Sequence, residues 1–269
     1  VGILMAFQDY KVAKGLFGSP WVGLDKFKEL FAGAQFGYAF RNTVYMALLN
    51  LTLGFIIPVI LGLLISQVRN KRRSRVVQTI TYMPYFVAPV VVCTLAKEFL
   101  KEGGAITMFL TMFGLPNQNW LAVNSPVFWF INCFLGIWQG AGYGAIVYIA
   151  AINGIDQNLY EAACIDGASR WQRLWNITIP SIVPLVVMMF TMQIGLVFMT
   201  GFDKVLLLYM PTTYEFSDCL STYTYRMAFS SGNDFSLSTA SGLLQSIIGT
   251  LLLIFGNKMS EKATKMSLF

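Results

Sequence analysis

The sequence predicts an all-α, polytopic bundle of membrane-spanning helices. Of the 269 residues, 56% are hydrophobic and only 12% are charged, about half the charged share of an ordinary soluble domain. Five stretches contain no Asp, Glu, Lys or Arg, and each exceeds the ~20 helical residues that cross a bilayer. These stretches are residues 42–68, 76–96, 126–155, 179–202 and 235–257. Continuous apolar runs exclude a porin, whose short strands alternate in polarity.

Basic residues in the connections predict the orientation of the chain, because Lys and Arg favour the cytoplasmic side of a membrane. The segment RNKRRSR at 69–75 holds five of them. If it is cytoplasmic, residues 156–178 and the C-terminus are cytoplasmic too. These segments together are more than twice as rich in Lys and Arg as the opposite connections. Residues 8–41 then lie outside, and we interpret residues 1–7 as the remnant of a first span. The chain, 1–269, is one transmembrane domain.

The composition excludes most enzymatic chemistry. The chain contains no His, which removes the commonest general base and metal ligand. Its cysteines form no CxxC pair, so we expect no metal site and interpret them as small hydrophobic residues. They are Cys93, Cys133, Cys164 and Cys219. The sequence also lacks a GxxxxGK[ST] phosphate loop. We therefore expect no catalytic residue and no bound cofactor, and any ATP-driven step would belong to a partner.

The connection between the third and fourth apolar stretches has the pattern of a helical hairpin. A short amphipathic helix is predicted from about Gln157 to Ile165. Gly167 supplies a permissive backbone for a turn, and Ser169 is a suitable N-cap for a second helix. The hairpin offers apolar anchors and charges to a partner: Trp171, Leu174, Trp175 and Ile177, with Glu161, Asp166, Arg170 and Arg173. The spacing alone also allows a hairpin that rests on lipid headgroups.

The sequence of this hairpin resembles a known family. EAACIDGASRWQRLWNITIP is similar to the EAA loop of permease subunits of bacterial ATP-binding-cassette (ABC) importers. The matching residues are Glu161, Ala162, Ala163, Asp166, Gly167, Ala168 and Pro180. Leu174 stands where the family usually has Phe, and Ile179 where it usually has Leu, but both remain apolar. Other segments, including YMPYFVAPVV and FSLSTASGLLQSIIG, resemble carbohydrate-importer permeases, particularly the Gram-positive branch that handles complex oligosaccharides.

The resemblance implies a type I importer permease with six spans, of which five are visible, in the plasma membrane. It implies four kinds of protein partner or ligand: a second homologous permease, two ATPase subunits that carry ATP and Mg, an extracellular solute-binding lipoprotein, and the sugar. No nucleic-acid partner is implied. The loop at about 156–178 would be the coupling helix, which the ATPases move as the pathway alternates between inward-facing and outward-facing states.

Polar and aromatic residues within the spans are candidates for the substrate pathway. They are Asn50, Trp138, Gln139, Tyr143, Gln193 and Gln245. Buried amides in lipid need partners, and hydrogen bonds between helices are an equally good explanation for each one singly. The group at 138–143 favours a sugar because sugars bind aromatic faces and amides. The absence of charge from the five stretches argues against proton or sodium coupling and suits a neutral substrate.

Two other functions compete with the importer hypothesis. A secondary transporter or channel would work without an ATPase and would usually show an intramembrane carboxylate or a repeat. A membrane-bound enzyme would need a nucleophile or a pair of carboxylates within the membrane. The sequence shows neither pattern. Stoichiometric ATPase subunits in a mild-detergent preparation would distinguish the importer from both.

Overall fold

The structure is a computed structural model that describes residues 2–68, 70–198, 201–230 and 233–264, with side chains described up to Glu261. It is built from helices, and the β-structure in the described residues is one isolated bridge between Gln8 and Trp21. The α-helices are α1 (Gly15–Gly18), α2 (Asp25–Ala32), α3 (Ala34–Leu49), α4 (Phe55–Ser66), α5 (Lys71–Tyr82), α6 (Pro89–Leu100), α7 (Ala105–Thr111), α8 (Val127–Asn153), α9 (Gln157–Ile165), α10 (Arg170–Arg173), α11 (Ile179–Leu196), α12 (Phe202–Leu208), α13 (Tyr214–Ser217), α14 (Leu220–Phe229) and α15 (Phe235–Thr264).

Shorter helical turns connect several of these elements. Three are 3₁₀ turns and two are π-helical turns: Gly2–Phe7, Met83–Phe86 and Pro211–Thr213, and then Asn50–Gly54 and Leu174–Thr178. Residues 1–7 were predicted to be the remnant of a span. Gly2–Phe7 is a 3₁₀ turn and Val1 lies outside the described residues. The interpretation as a remnant therefore stays a prediction.

Four continuous helical segments are long and apolar enough to cross a membrane. They are Ala34–Ser66, Val127–Asn153, Arg170–Leu196 and Phe235–Glu261, and the bent pair Lys71–Phe86 with Pro89–Thr111 makes a fifth. Each contains one of the five predicted apolar stretches or most of it. Only 17 to 39% of the most apolar window in each continuous segment is buried, so most of this apolar surface faces outward, as lipid requires. The prediction of an all-α membrane bundle is confirmed.

Proline explains the irregular places in these segments. Pro58 lies inside α4 and cannot donate a hydrogen bond to the carbonyl of Gly54, and the π-helical turn ends at that residue. The bent pair breaks between Met83–Phe86 and Pro89, which is the first residue of α6. Proline within a spanning helix favours irregularities of this kind. The structure shows a wider turn before Pro58 and a break at the second site.

The basic segment 69–75 was predicted to be a loop, but most of it is helical. Helix α5 begins at Lys71, and the Asn70 side chain caps it by accepting hydrogen bonds from the amides of Arg72 and Arg73 at 2.9 and 3.3 Å. Arg69 lies outside the described residues. The N-cap signal of Asn70 outweighs the unfavourable interaction of cations with a helix N-terminus.

The chain divides into two compact units. The first comprises residues 1–49, 88–133 and 196–251. Its core holds a fully buried Asn42, whose Nδ2 donates to the carbonyls of Glu215 and Asp218 at 3.0 and 2.9 Å. Asp218 is itself buried and paired with Arg226 at 2.5 Å. Removal of either partner of this ion pair would leave an unpaired charge in the interior of the unit, which is strongly destabilising.

The second unit comprises residues 50–87, 134–195 and 252–269. Small residues bring its helices close together, as is common in membranes. A Cβ placed on Gly142 of α8 would lie 2.0 Å from the Thr81 carbonyl oxygen of α5, and one on Gly62 of α4 would lie 2.9 Å from the Cβ of Tyr148. Gly142 is therefore required by close contact between two helices.

Candidate functional site

The predicted hairpin is present with the predicted boundaries. Its first helix is α9, Gln157–Ile165, and Asp156 caps it by accepting a hydrogen bond from the Asn158 amide at 3.0 Å. Its second helix is α10, which begins after Ser169. We call the segment Asp156–Arg173 the coupling hairpin, after the role that the family resemblance implies for it.

The turn of the coupling hairpin depends on Gly167. This residue has a φ of +78°, a left-handed conformation that costs a residue with a Cβ roughly 1–2 kcal/mol. The Gly167 amide donates to the Cys164 carbonyl at 3.1 Å, and the Ala168 amide donates to the Ala163 carbonyl at 2.8 Å. This pair of hydrogen bonds is the Schellman arrangement, which satisfies carbonyls that a helix end leaves free.

The second helix of the hairpin starts with a capping box. The Ser169 amide donates to Oε1 of Gln172 at 2.7 Å, and the Gln172 amide donates to Oγ of Ser169 at 3.3 Å. Local hydrogen bonds therefore cap both helix ends at the turn, the C-terminus of α9 and the N-terminus of α10. The hairpin has a defined shape that comes from its own sequence.

Two side-chain contacts tie the hairpin together and to the following span. The hydroxyl groups of Tyr160 and Thr178 lie 2.9 Å apart, and Nη1 of Arg173 donates to Sγ of Cys164 at 2.6 Å. Cys164 is exposed, whereas the other three cysteines are buried. Cys164 therefore does not lie in a core as the other three cysteines do, but contacts the second helix of the hairpin. The sequence analysis also missed Tyr160 and Thr178.

The hairpin and the π-helical turn that follows it, Leu174–Thr178, expose large apolar side chains. Ile165 is 87% exposed, Trp171 68% and Trp175 56%. The two indole rings meet edge to face with centroids 6.2 Å apart. An apolar patch of this kind beside charged residues is typical of a surface that binds a partner or a membrane.

The structure brings six of the seven motif residues into the hairpin. Glu161, Ala162, Asp166 and Gly167 are exposed, Ala163 and Ala168 are half-buried, and Pro180 is exposed in the first turn of α11. Pro180 therefore lies in the following span and follows the π-helical turn Leu174–Thr178.

Two of the candidate pathway residues at 138–143, Gln139 and Tyr143, contact residues next to the break of the bent pair. Gln139 is buried, and its Nε2 donates to the Val87 carbonyl at 2.7 Å. Tyr143 stacks on Tyr85 with centroids 3.9 Å apart and planes 5° from parallel. Trp138 is 48% exposed and Tyr143 43%. Tyr85 was missed by the sequence analysis, although its place between Pro84 and a second aromatic residue could have indicated it.

The remaining candidates lie apart from this aromatic group. Gln245 is buried in the first unit, where its Nε2 donates to the Phe198 carbonyl and to Oγ of Ser221. Asn50 lies in a π-helical turn and Gln193 is half-buried in α11, both in the second unit. The hydrogen bonds of Gln139 and Gln245 are those expected for contacts between helices. A role in the pathway stays a prediction for all six residues.

Comparison with known proteins places the whole chain in one family. The family model described as "Binding-protein-dependent transport system inner membrane component" matches residues 54–265. The polygalacturonan/rhamnogalacturonan transport system permease protein YteP of Bacillus subtilis is 37% identical over 97% of this chain and 81% of its own length. Protein LplB of the same organism is 34% identical over 100% of this chain and 84% of its own length.

A solved structure has the same fold. One chain of a bacterial alginate ABC transporter, in complex with a periplasmic protein that binds an alginate pentasaccharide, matches with a TM-score of 0.89. The sequence identity is 37%, and the match covers 99% of this chain and 88% of the other. The protein is therefore a member of the binding-protein-dependent transport system inner membrane components, a family of non-catalytic permease subunits.

Proposed function

We propose that this chain forms half of the translocation pathway of an ATP-driven importer of oligosaccharides. The observation that carries the proposal is the coupling hairpin, an exposed element with capped helices on a permease fold. Relatives described as carriers of polygalacturonan and alginate support an oligosaccharide as the substrate. A second permease subunit would supply the other half of the pathway. An extracellular solute-binding lipoprotein would deliver the sugar.

The hairpin is suited to transmit force from an ATPase. Burial of the exposed indoles and of Ile165 against a partner would contribute roughly 25 cal/mol to the binding free energy for each Å² of apolar surface covered. The Glu161 carboxylate on α9 would accept charge-assisted hydrogen bonds in a groove of that partner. Because caps close both helix ends at the turn, a push on α9 would move the hairpin as a body. The contact between Tyr160 and Thr178 would carry that movement into the span that follows.

ATP and Mg would be bound by two ATPase subunits. This chain would contribute no catalytic group to hydrolysis. The coupling hairpin and the C-terminus would face the cytoplasm, where the ATPases are. The alternation between inward-facing and outward-facing states would then follow from movement of the hairpin.

Aromatic faces near the break of the bent pair are the part of the chain best suited to contact a sugar. Tyr85, Tyr143 and Trp138 each expose between 43 and 48% of their surface. Gln139 has a different role, because its amide is engaged with the carbonyl of Val87 at the break. We propose that the aromatic residues contact the substrate and that Gln139 positions them.

The proposal is tested by purification and reconstitution of the complete complex. Stoichiometric ATPases in mild detergent and uptake that requires both ATP and the binding protein are the expected results. Uptake by this chain without ATPases would instead indicate a secondary transporter. Single-cysteine labelling at positions 72 and 118 on a cysteine-free background tests the orientation. Labelling of both from the same side of intact cells would contradict the cytoplasmic location of the hairpin.

A further inference from the structure

An open cavity of about 800 Å³ lies in the second unit beside the coupling hairpin. Four cations line it: Lys71 and Arg75 from α5, and Arg170 and Arg173 from the hairpin. No Asp or Glu is among its lining residues in the described part of the chain. Cavity walls with charges of one sign attract and concentrate ligands of the opposite sign.

These cations have no carboxylate partner among the residues that the structure describes. The ion pairs of the described chain lie elsewhere and use other residues. Nε of Arg173 is buried and makes no hydrogen bond within this part of the protein. An unsatisfied buried donor on a cation is costly. The Arg173 side chain also lines the cavity, where an anion would pair with its guanidinium charge.

The placement of Lys71 and Arg75 adds to this charge. Both lie in the first turn or so of the twelve-residue helix α5, whose N-terminus carries positive charge of its own. Cations at this end of a helix are unfavourable, whereas an anion there is favoured by the helix dipole and by the basic side chains together. The preference of basic residues for the cytoplasmic side explains why this segment contains many of them. It does not explain why two of them line the same cavity as the two arginines of the hairpin.

The rest of the lining indicates what kind of anion fits. Most of the neutral lining residues carry hydroxyl or amide groups, including Ser74, Gln78, Asn153 and Tyr160, and apolar residues are a minority. Amides and hydroxyls suit a ligand rich in hydroxyl groups, and guanidinium groups suit carboxylates. A phospholipid would need an apolar flank for its acyl chains.

We propose that this cavity binds a carboxylated oligosaccharide on the side of the permease that carries the coupling hairpin. The proposal rests on the proposed importer function and narrows its substrate to acidic sugars. The apolar stretches suit a neutral substrate because they lack charge, but the cations of this cavity lie at their ends and in the hairpin. Carboxylates that contact both Arg75 and the hairpin would link the coupling element to α5.

The test uses the purified complex of permeases and ATPases without the binding protein, since the binding protein holds sugar itself. The probe is radiolabelled trigalacturonate, and its methyl ester is the uncharged analogue of nearly the same size. Arg75→Gln removes a cavity cation, and Arg72→Gln removes an exposed cation of the same helix that does not line the cavity.

We expect salt-sensitive binding of trigalacturonate to the wild-type complex. Arg75→Gln should weaken it about tenfold, the effect of one charge-assisted hydrogen bond. Arg72→Gln should change it less than twofold, and the ester should bind at least tenfold more weakly. Equal binding of acid and ester, or equal effects of the two variants, would overturn the proposal.

Two further measurements distinguish a bound sugar from other possible ligands of the cavity. Binding that vanishes when phosphatidylglycerol is added to phosphatidylcholine nanodiscs would assign the cavity to a lipid headgroup. Loss of ATPase subunits from the Arg75→Gln complex would assign it to an acidic segment of the ATPase. Either result would overturn the sugar assignment. Absence of ATP-dependent uptake of any oligosaccharide by the wild-type complex would instead contradict the proposed function itself.

Discussion

Substitution of Gly142 by Ala tests the close contact between α5 and α8. An added Cβ would lie 2.0 Å from the Thr81 carbonyl oxygen, so the two helices must separate by about 1 Å or more. Overpacking of this kind costs about 1–3 kcal/mol, and the better helix propensity of Ala returns up to about 1 kcal/mol. We expect a net loss of about 1–2 kcal/mol, which lowers the melting temperature by roughly 2–8 °C in a chain of this size.

Gly140 provides a matched control on the same helix. A Cβ at Gly140 would have no atom within 4 Å, so Gly140→Ala should leave the melting temperature unchanged or raise it slightly. The assay is thermal unfolding of the purified complex in detergent, followed with a thiol-reactive dye. A displaced α8 would also disturb the stack of Tyr143 on Tyr85. Equal shifts for the two variants would refute the packing argument.

Three further changes have defined outcomes. Gly167→Val should abolish ATP-driven uptake while the chain still inserts into the membrane, because the turn needs a positive φ at this residue. Gly167→Asn should retain most of the uptake, since Asn tolerates a positive φ. Normal uptake by the Val variant would exclude the hairpin as the coupling element. Burial is the largest single influence on the pKa of Lys26 and lowers it, but the hydrogen bonds and negative charges of Asp234 and Glu29 together raise it by more, so the net pKa is above its ordinary value of 10.5. Lys26 therefore contributes stability below about pH 10.5 that is lost as the pH rises through the raised pKa. Lys26→Met should cost about 1 kcal/mol in thermal unfolding at pH 8 and progressively less as the pH rises above 10.5. Lys28→Met, at an exposed ion pair, should cost almost nothing at any of these pH values. Trp138→Ala should lower uptake and leave basal ATP hydrolysis intact, and unchanged uptake would show that this indole does not contact the substrate.

The coupling hairpin could be predicted from sequence because its determinants are local. Asp156, Gly167 and Ser169 act on backbone groups within a few residues of themselves, so a short window contains the whole argument. The five apolar stretches were equally readable because length and hydrophobicity alone specify a span. The N-terminus of α5 was missed because the charge of 69–75 indicated a loop and concealed the N-cap at Asn70.

Contacts between distant residues could not be read in the same way. The partner of Gln139 is a carbonyl 52 residues away, and that of Gln245 is 47 residues away. A single sequence reveals that these amides need partners but not which groups supply them. The cation cavity was missed for the same reason. Lys71 and Arg75 are distant in sequence from Arg170 and Arg173, and the fold alone brings them to one wall.

The π-helical turn Leu174–Thr178 gives the hairpin and its span a defined rotational relation. Arg170–Leu196 runs as one helical segment, a rod of roughly 40 Å from the hairpin into the bilayer. A π turn holds one residue more than an α turn, so it rotates everything on one side of it by about 100° relative to a regular helix. Deletion of one residue from the turn would restore α-helical phase and keep the rod. The Trp171 side chain would then be rotated by about a quarter of a turn around the helix axis relative to the following span.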